Sequence, residues 1–211
     1  MSMQQNDPAE LLEVFDAHGN PMGRAKTRAA IHLDGDWHQA FHCWIVRRTK
    51  HEVVLQRRAV TKDTFAGCWD AAAAGHWRFG ESAPQAAREI AEELGLEVSF
   101  AELEYRGREA GARQFENGLI DREHHQVYVL DSDKPLADYR PDPAEVMGLA
   151  TFAMDDLVAL AEGRIAKIHA TESMLVRSDG SLQQVALTAY RDEFVPYSAA
   201  RLRRTLGMGS A

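Results

Sequence analysis

The chain has 211 residues, 45% of them hydrophobic and 27% charged, which is the composition of an ordinary globular protein of one domain. Its net charge of −8 argues against a general nucleic-acid binder, which would carry a basic surface. No run of about 18 apolar residues is present, so the sequence predicts no membrane-spanning helix.

One folded domain is predicted to occupy most of the chain. We expect a disordered leader at residues 1–10, a single domain at residues 11–206 and a short tail at residues 207–211. The N-terminus lacks the basic flank and apolar core of a signal peptide. The two cysteines, Cys43 and Cys68, lie in apolar runs without metal-ligand spacing, so we expect reduced core residues in a cytoplasmic protein.

Strand patterns dominate the first 77 residues. Residues 11–26 predict two strands joined by a turn rich in Gly, Asn and Pro. Further strands are predicted over residues 38–48 and 51–59. A loop at residues 61–67 then leads to a short extended segment at residues 68–77.

A strong helix is predicted after this segment. Ser82 and Gln85 have the spacing of a capping box, and Gly95 suits the left-handed C-terminal cap. The buried stripe at helical spacing is predicted to consist of Ala83, Ala87, Ile90 and Leu94. On this register the three glutamates of the helix, Glu89, Glu92 and Glu93, share the opposite side.

The second half of the chain alternates strands with helices. Strands are predicted over residues 96–109, 124–130 and 146–153, and a glycine-rich loop ending at Asp121 separates the first two. Helices are predicted over residues 154–163 and Ala199–Leu206. The order of strands, helix, strands and helix indicates the α+β class.

The three glutamates need an explanation, because like charges one turn apart cost a few tenths of a kcal/mol per pair. Glutamate-rich helix faces are usually solvated surface, and Arg88 with Glu92 forms an ordinary ion pair. Three carboxylates are also ligands that Mg²⁺ or Mn²⁺ prefers, and such a cation neutralises phosphate oxygens and activates water. The flanking sequence favours the second interpretation: Gly75, five residues, Glu81, six residues, then Arg88-Glu89-Ile90-x-Glu92-Glu93-x-Gly95-Leu96.

This string resembles the Nudix box of the Nudix hydrolase superfamily, G-x5-E-x7-R-E-U-x-E-E-x-G-U, where U is bulky and aliphatic. Every fixed residue is present, from Gly75 to Gly95, but one residue is missing between Glu81 and Arg88. We expect the deletion to shift Glu81 and not the helix, which should begin at Ala83 or Pro84. The resemblance implies the Nudix fold, an α/β/α sandwich with a mixed β-sheet.

The same resemblance implies an activity and a site. The reaction would be hydrolysis of the diphosphate bond of a nucleoside diphosphate linked to another moiety, or of a related organic diphosphate. Glu89, Glu92 and Glu93 would hold Mg²⁺ or Mn²⁺, Arg88 would orient Glu89, and Glu89 or Glu123 would be the base. The implied partner is a small-molecule diphosphate, without nucleic acid or membrane. Homodimers are common in the superfamily, but the sequence carries no signature of one.

Residues 11–130 are similar to the branch of the superfamily that includes isopentenyl diphosphate isomerase. On this similarity, His32, His38 and His76 fall at or near histidines that hold a metal in the isomerases. Asp121 and Glu123 match two acidic residues of the same enzymes, so a second metal site is implied. The alternative is structural, because a lone histidine in a strand is more often a hydrogen-bonded core or rim residue than a ligand.

Three functions therefore stay open: a metal-dependent diphosphate hydrolase, an isopentenyl diphosphate isomerase, and a non-catalytic module that binds a nucleotide. Ala74 disfavours the isomerase, whose catalytic cysteine precedes the glycine of the box. The complete set of glutamates disfavours the binding module. The sequence does not identify the substrate, whose determinants we expect in the loop at residues 106–122. His124 and His125 point to opposite sheet faces, so at most one joins a site.

Overall fold

Residues 7–209 are described by a computed structural model, and they form thirteen strands and five helices. The strands are β1 (Leu11–Phe15), β2 (Pro21–Thr27), β3 (Trp37–Arg47), β4 (Glu52–Arg58), β5 (Trp69–Asp70), β6 (Ala73–His76), β7 (Leu103–Gln114), β8 (Ile120–Asp131), β9 (Val146–Ala153), β10 (Lys167–His169), β11 (Glu172–Val176), β12 (Leu182–Gln184) and β13 (Thr188–Tyr190). The helices are α1 (Arg28–Asp34), α2 (Ala83–Ala86), α3 (Arg88–Leu94), α4 (Met154–Ala161) and α5 (Ala199–Leu206). The predicted α+β class is confirmed.

The central strand of the sheet is β3. It pairs antiparallel with β4 and β6, and parallel with β8 over ten residue pairs. Beyond β4 the sheet continues through β9 and β11 to β12, and β7 extends it as a hairpin with β8. The sheet is therefore mixed, as predicted.

Helices cover both faces of this sheet. Side chains alternate along β3, so successive residues enter opposite cores. Phe41, Cys43 and Ile45 enter the core formed with α2 and α3. Trp44 and Val46 enter the opposite core, formed with α4 and α5. The predicted sandwich is confirmed.

The predicted strong helix consists of two pieces. It begins at Ala83, as expected, and the Gln85 side chain accepts a hydrogen bond from the Ser82 backbone N–H at 2.9 Å. The break lies at Ala87, where the Ile90 N–H bonds to the Ala87 carbonyl at 3.2 Å, a tighter turn than that of an α-helix. Ala87 is the last residue of the segment between Glu81 and Arg88, which is one residue shorter than in the Nudix box.

The expectation that the three glutamates share the side opposite the buried stripe is wrong. Glu89 and Glu93 are buried, with 1% and 0% of their surface exposed, whereas Glu92 is exposed. The small residues of β6 leave room beneath α3 for two carboxylates. Sequence periodicity does not reveal this room, because it depends on how α3 lies on a neighbouring strand.

Residues of both predicted chain ends form backbone hydrogen bonds to the domain. Glu10, at the end of the predicted leader, donates its N–H to the Asp7 carbonyl at 3.0 Å and accepts from the Arg28 N–H at 2.7 Å. At the predicted tail, the Met208 N–H bonds to the Arg203 carbonyl at 2.9 Å and closes α5. Residues 1–6 and 210–211 of these two predictions lie outside the described residues.

Two further elements differ from the prediction. The seven-residue helix α1 was not predicted, although Thr27 caps its start and Gly35 its end. The glycine-rich segment before Asp121 is mostly strand, since β7 runs to Gln114 and leaves a short connection to β8.

Cys43 is buried as predicted, but Cys68 is only half-buried, and neither forms a disulfide within residues 7–209. No helix in the described part of the chain is long and apolar enough to cross a membrane.

We expect Gly95→Ala to destabilise the protein more than Gly80→Ala. Both glycines have positive φ, 63° and 80°, which costs an alanine about 1–2 kcal/mol. A Cβ at position 95 would also lie 2.5 Å from the Arg140 carbonyl oxygen, whereas one at position 80 meets nothing within 4 Å. Urea unfolding measures the free energy lost by each variant. Equal losses would contradict the close packing of α3 against Arg140.

Candidate active site

A cavity of about 370 Å³ lies over the polar end of β3, β6 and β8. Its carboxylate lining consists of Glu10, Asp70, Glu89, Asp121 and Glu123, and its cationic lining of Arg28, Arg58, Lys62, Arg113 and Arg201. The histidines that line it are His42, His76 and His125. Such a concentration of ionisable groups in one concave site is the usual mark of a functional site.

Three predicted histidines and two predicted acidic residues come together beside this cavity, and His76, Asp121 and Glu123 line it. His32 from α1, His38 from β3 and His76 from β6 have ring centroids 5.0 to 5.1 Å apart. From β8, Glu123 Oε1 lies 3.7 Å from His38 Nε2 and 3.5 Å from His76 Nε2. Asp121 Oδ1 lies 3.8 Å from His38 Nε2 and 4.0 Å from His32 Nε2.

The chemistry of this group fits a divalent metal ion. His32 Nε2, His38 Nε2 and Asp121 Oδ1 are buried without a hydrogen-bond partner, and such atoms are rare unless they bind something. His32, His38 and His76 place their ligand atoms within 4.8 Å of one another, as do His38, Asp121 and Glu123. A mixture of imidazole and carboxylate ligands favours a transition metal such as Mn²⁺, Fe²⁺ or Zn²⁺ over Mg²⁺.

The protonation states of His32, His76 and Glu123 also suit a cation. Burial lowers the pKa of His32 to about 4 and that of His76 to about 3, so both imidazoles are neutral at pH 7 and can donate a lone pair. Burial disfavours the Glu123 carboxylate, but the bond from His125 and the nearby imidazoles of His38 and His76 outweigh it. They hold the pKa of Glu123 well below its ordinary value.

The glutamates of the box occupy different environments. Glu89 lines the cavity, and the Arg88 guanidinium donates a hydrogen bond to its carboxylate. Arg88 also donates to Glu81 at 2.8 Å and to Glu92 at 2.8 Å, so Glu81 contacts the arginine of the box; the shift of Glu81 stays a prediction. A Cβ at Gly75 would collide with the Glu89 carboxylate, which explains why a glycine precedes this helix.

Glu93 lies beneath the cavity and joins α3 to the sheet. Its Oε2 accepts from the Ala74 N–H at 2.9 Å and from Gln56 Nε2 at 2.8 Å, and Lys62 Nζ is 3.9 Å from Oε1. Burial raises the pKa of Glu93 to about 7 and that of Glu89 well above its ordinary value. Among residues 7–209, the groups compact enough to hold a metal include no glutamate of the box.

A second polar cluster, which the sequence did not predict, forms the far wall of the cavity. His42 stacks on His125 at a centroid distance of 4.2 Å, and the Tyr197 hydroxyl donates to Asp70 Oδ1 at 2.5 Å. Asp70 carries a sequence signal of its own, since it is a carboxylate within the apolar run Cys68–Ala74. His124 lies on the other sheet face, stacked on Trp37 at 4.7 Å, so the expectation that His124 and His125 separate is confirmed.

Comparison with known proteins identifies the family. The model of the NUDIX domain matches residues 36–173. The chain belongs to the Nudix family. A Nudix hydrolase of Clostridium acetobutylicum, itself described as uncharacterized, is 33% identical over 191 residues, which cover 89% of this chain and 91% of that protein. An isopentenyl-diphosphate Delta-isomerase of Cutibacterium acnes is 32% identical over 175 residues, which cover 77% of this chain and 84% of that protein.

Solved structures support the Nudix fold. The crystal structure of DR0079 from Deinococcus radiodurans superposes with a TM-score of 0.54 at 19% identity, over 73% of this chain and 90% of that one. Nudix enzymes generally use divalent metal ions, which agrees with the chemistry of the histidine and carboxylate group. The family match ends at residue 173, so Tyr197 and Arg201 belong to a part of the cavity wall outside it.

We expect His38→Gln to weaken the binding of Mn²⁺ or Co²⁺ by at least about tenfold, because it removes a buried ligand of the histidine and carboxylate group. Equilibrium dialysis followed by metal analysis measures the affinity. Glu92→Gln is the matched control, since its side chain is 38% exposed and pairs with Arg88. If Glu92→Gln weakened binding as much as His38→Gln, the metal would lie at the box, as the sequence alone predicted.

Proposed function

We propose that this Nudix protein hydrolyses the diphosphate bond of a small organic diphosphate with the help of a divalent metal ion. One observation carries the proposal: a single cavity joins a metal-binding group to a set of cations, within a chain of net charge −8. Local positive charge in an acidic protein favours a small anionic substrate over a polyanion.

The cations that suit the diphosphate lie beside the carboxylates. The Arg58 side chain is 12% exposed and pairs with Asp70 at 3.3 Å, and Arg28 pairs with Asp63 at 2.8 Å. Guanidinium groups bind phosphate oxygens through paired hydrogen bonds. A cation held by His32, His38, His76, Asp121 and Glu123 would supply further positive charge at the diphosphate.

Two carboxylates reach the cavity from opposite elements and are candidates for the base. Glu89 approaches from α3 beside Gly75, and Glu123 approaches from β8 beside the histidines. Either position allows a carboxylate to take a proton from an attacking water molecule. The contacts of Glu123 with three imidazoles give it a second role in holding the metal.

An aromatic surface at the cavity supports a nucleoside in the substrate. The Arg113 guanidinium lies over the rings of Phe65 and Phe115, at 4.9 and 5.6 Å from their centroids. Phe65 has a φ of 49°, a left-handed conformation that bulky residues rarely adopt and that often marks a functional site. Phe65 and Arg113 line the cavity and offer a planar group a stacking partner.

We expect Glu89→Gln or Glu123→Gln to lower kcat by about 10²- to 10⁴-fold, the usual contribution of a general base. Hydrolysis is measured as phosphate or nucleotide release at saturating metal, so that weaker metal binding does not imitate loss of the base. The control is Glu97→Gln, an exposed residue away from the cavity. A loss below about threefold in both variants would exclude both carboxylates as the base.

The isomerase alternative conflicts with one residue. Ala74 stands where the isomerase resemblance places a catalytic cysteine, and it lines the cavity with no ionisable group. Its backbone N–H is already bonded to Glu93. Isomerisation of isopentenyl diphosphate requires one proton to be added and another removed, and this position supplies neither.

We therefore expect no incorporation of solvent deuterium into isopentenyl diphosphate, because the second proton-transfer group is absent at position 74. Mass spectrometry of the recovered diphosphate in D₂O measures the exchange. Metal-dependent hydrolysis of another diphosphate in the same preparation shows that the enzyme is folded and loaded. Deuterium at the allylic carbon would establish isomerase chemistry and contradict this assignment.

A further inference from the structure

Glu123 belongs to two groups of candidate metal ligands. One group joins it to His38 and Asp121, and the other joins it to His42 and His125. Both groups have ligand atoms within 4.8 Å of one another, so distance alone does not decide which of them receives a cation. The contacts of His125 decide it.

His125 is held from both sides. One terminal nitrogen of the Arg201 guanidinium lies 2.9 Å from His125 Nδ1, and His125 Nε2 lies 2.8 Å from Glu123 Oε2. Arg201 is itself buried, with 8% of its surface exposed. The chain of contacts therefore runs from α5 through His125 to Glu123.

The donor capacity of arginine fixes the proton on His125. A guanidinium only donates hydrogen bonds, so His125 Nδ1 must accept with its lone pair. An imidazole that accepts at Nδ1 carries its proton on Nε2, where it is donated to Glu123. In this state neither nitrogen of His125 has a lone pair for a metal, and Glu123 Oε1 still faces His38 and His76.

We propose that Arg201 is a positioning residue that acts through His125. It directs Glu123 towards the metal centre at His38 and Asp121, and it prevents metal binding by the group formed by His42, Glu123 and His125. The positive charge of Arg201 next to His125 opposes a second cation there as well. The inference builds on the proposed metal-dependent function, but the state of His125 does not require a bound metal.

The fold holds Arg201 in place by several contacts. Ser198 caps α5 by accepting from the Arg201 backbone N–H at 3.2 Å. The guanidinium stacks on the Tyr197 ring at 4.4 Å and lies 4.0 Å from Glu109. Gly111 allows the His125 ring its position, because a Cβ there would lie 3.1 Å from Cε1 of the imidazole.

The test is the number of metal ions bound by the full-length protein and its variants. Co²⁺ is the probe, because imidazole ligands suit it and its absorption spectrum reports the ligand set. We expect Arg201→Met to bind one more Co²⁺ per chain than the unmodified protein. Arg201→Lys should bind the same number as the unmodified protein, since a lysine also only donates. Adding His125→Gln to Arg201→Met should abolish the extra equivalent.

Arg204→Met is the matched control for Arg201→Met. Arg204 lies on the same helix and also pairs with Glu109, at 2.6 Å, but its side chain is 61% exposed. It should leave the Co²⁺ count unchanged. An equal gain in Arg204→Met would show that the extra ion follows the loss of charge or a disturbed α5, and would overturn the proposal.

A second measurement separates this inference from the proposed function. Long-range ¹H–¹⁵N spectra of the metal-free protein distinguish the two neutral forms of histidine. We expect His125 to carry its proton on Nε2, and to lose this preference in Arg201→Met. A proton on Nδ1 in the unmodified protein would overturn the inference even if the enzyme hydrolyses diphosphates. An Nε2 proton without any hydrolysis would contradict the proposed function alone.

Discussion

The parallel pairing of β3 with β8 is the constraint on which the site depends. Its register sets His38 beside Glu123 and Ala40 beside His125. The two strands are far apart in the sequence, and α2, α3 and β7 are among the elements between them. A one-residue slip would turn every one of these side chains to the opposite face. The same register places Trp44 and Val46 in the apolar core, so the energy of core packing also fixes the polar end of the sheet.

Buried charge is the main cost of this arrangement. The carboxylates of Glu89 and Glu93 on α3 are almost fully buried, and an unpaired charge in such a place is strongly unfavourable. Arg88 compensates Glu89, while the Ala74 N–H and Gln56 compensate Glu93. These contacts need small residues in β6, because a side chain at Gly75 would collide with Glu89 and the Ala74 N–H lies within hydrogen-bond distance of Glu93.

The part of the chain beyond the family match contributes to the site. Helix α5 packs Leu202 and Leu206 into the core and brings Arg201 and Tyr197 to the cavity. Its wall adds hydrogen-bond donors and an aromatic ring to the cavity that the histidine and carboxylate group adjoins. The segment after residue 173 therefore completes the wall of a cavity whose other residues lie within the family match.

Local sequence patterns determined most of the elements, because capping residues and apolar spacing act over a few residues. They predicted β3, β4, β9 and α5 to within one or two residues, and the start of the helix at Ala83. The resemblance also predicted that His32, His38, His76, Asp121 and Glu123 belong together. The sequence missed α1, whose seven residues are too few for a periodic pattern.

Only the tertiary structure decided the environment of each charge. Helical spacing places Glu89, Glu92 and Glu93 near one another, but burial of the first and third depends on the room left by β6. The contact of Arg201 with His125 joins residues 76 positions apart, and no periodicity links them. Burial and electrostatic pairing arise between elements that meet only in the folded chain, so the sequence determined the ligand types and the fold selected their partners.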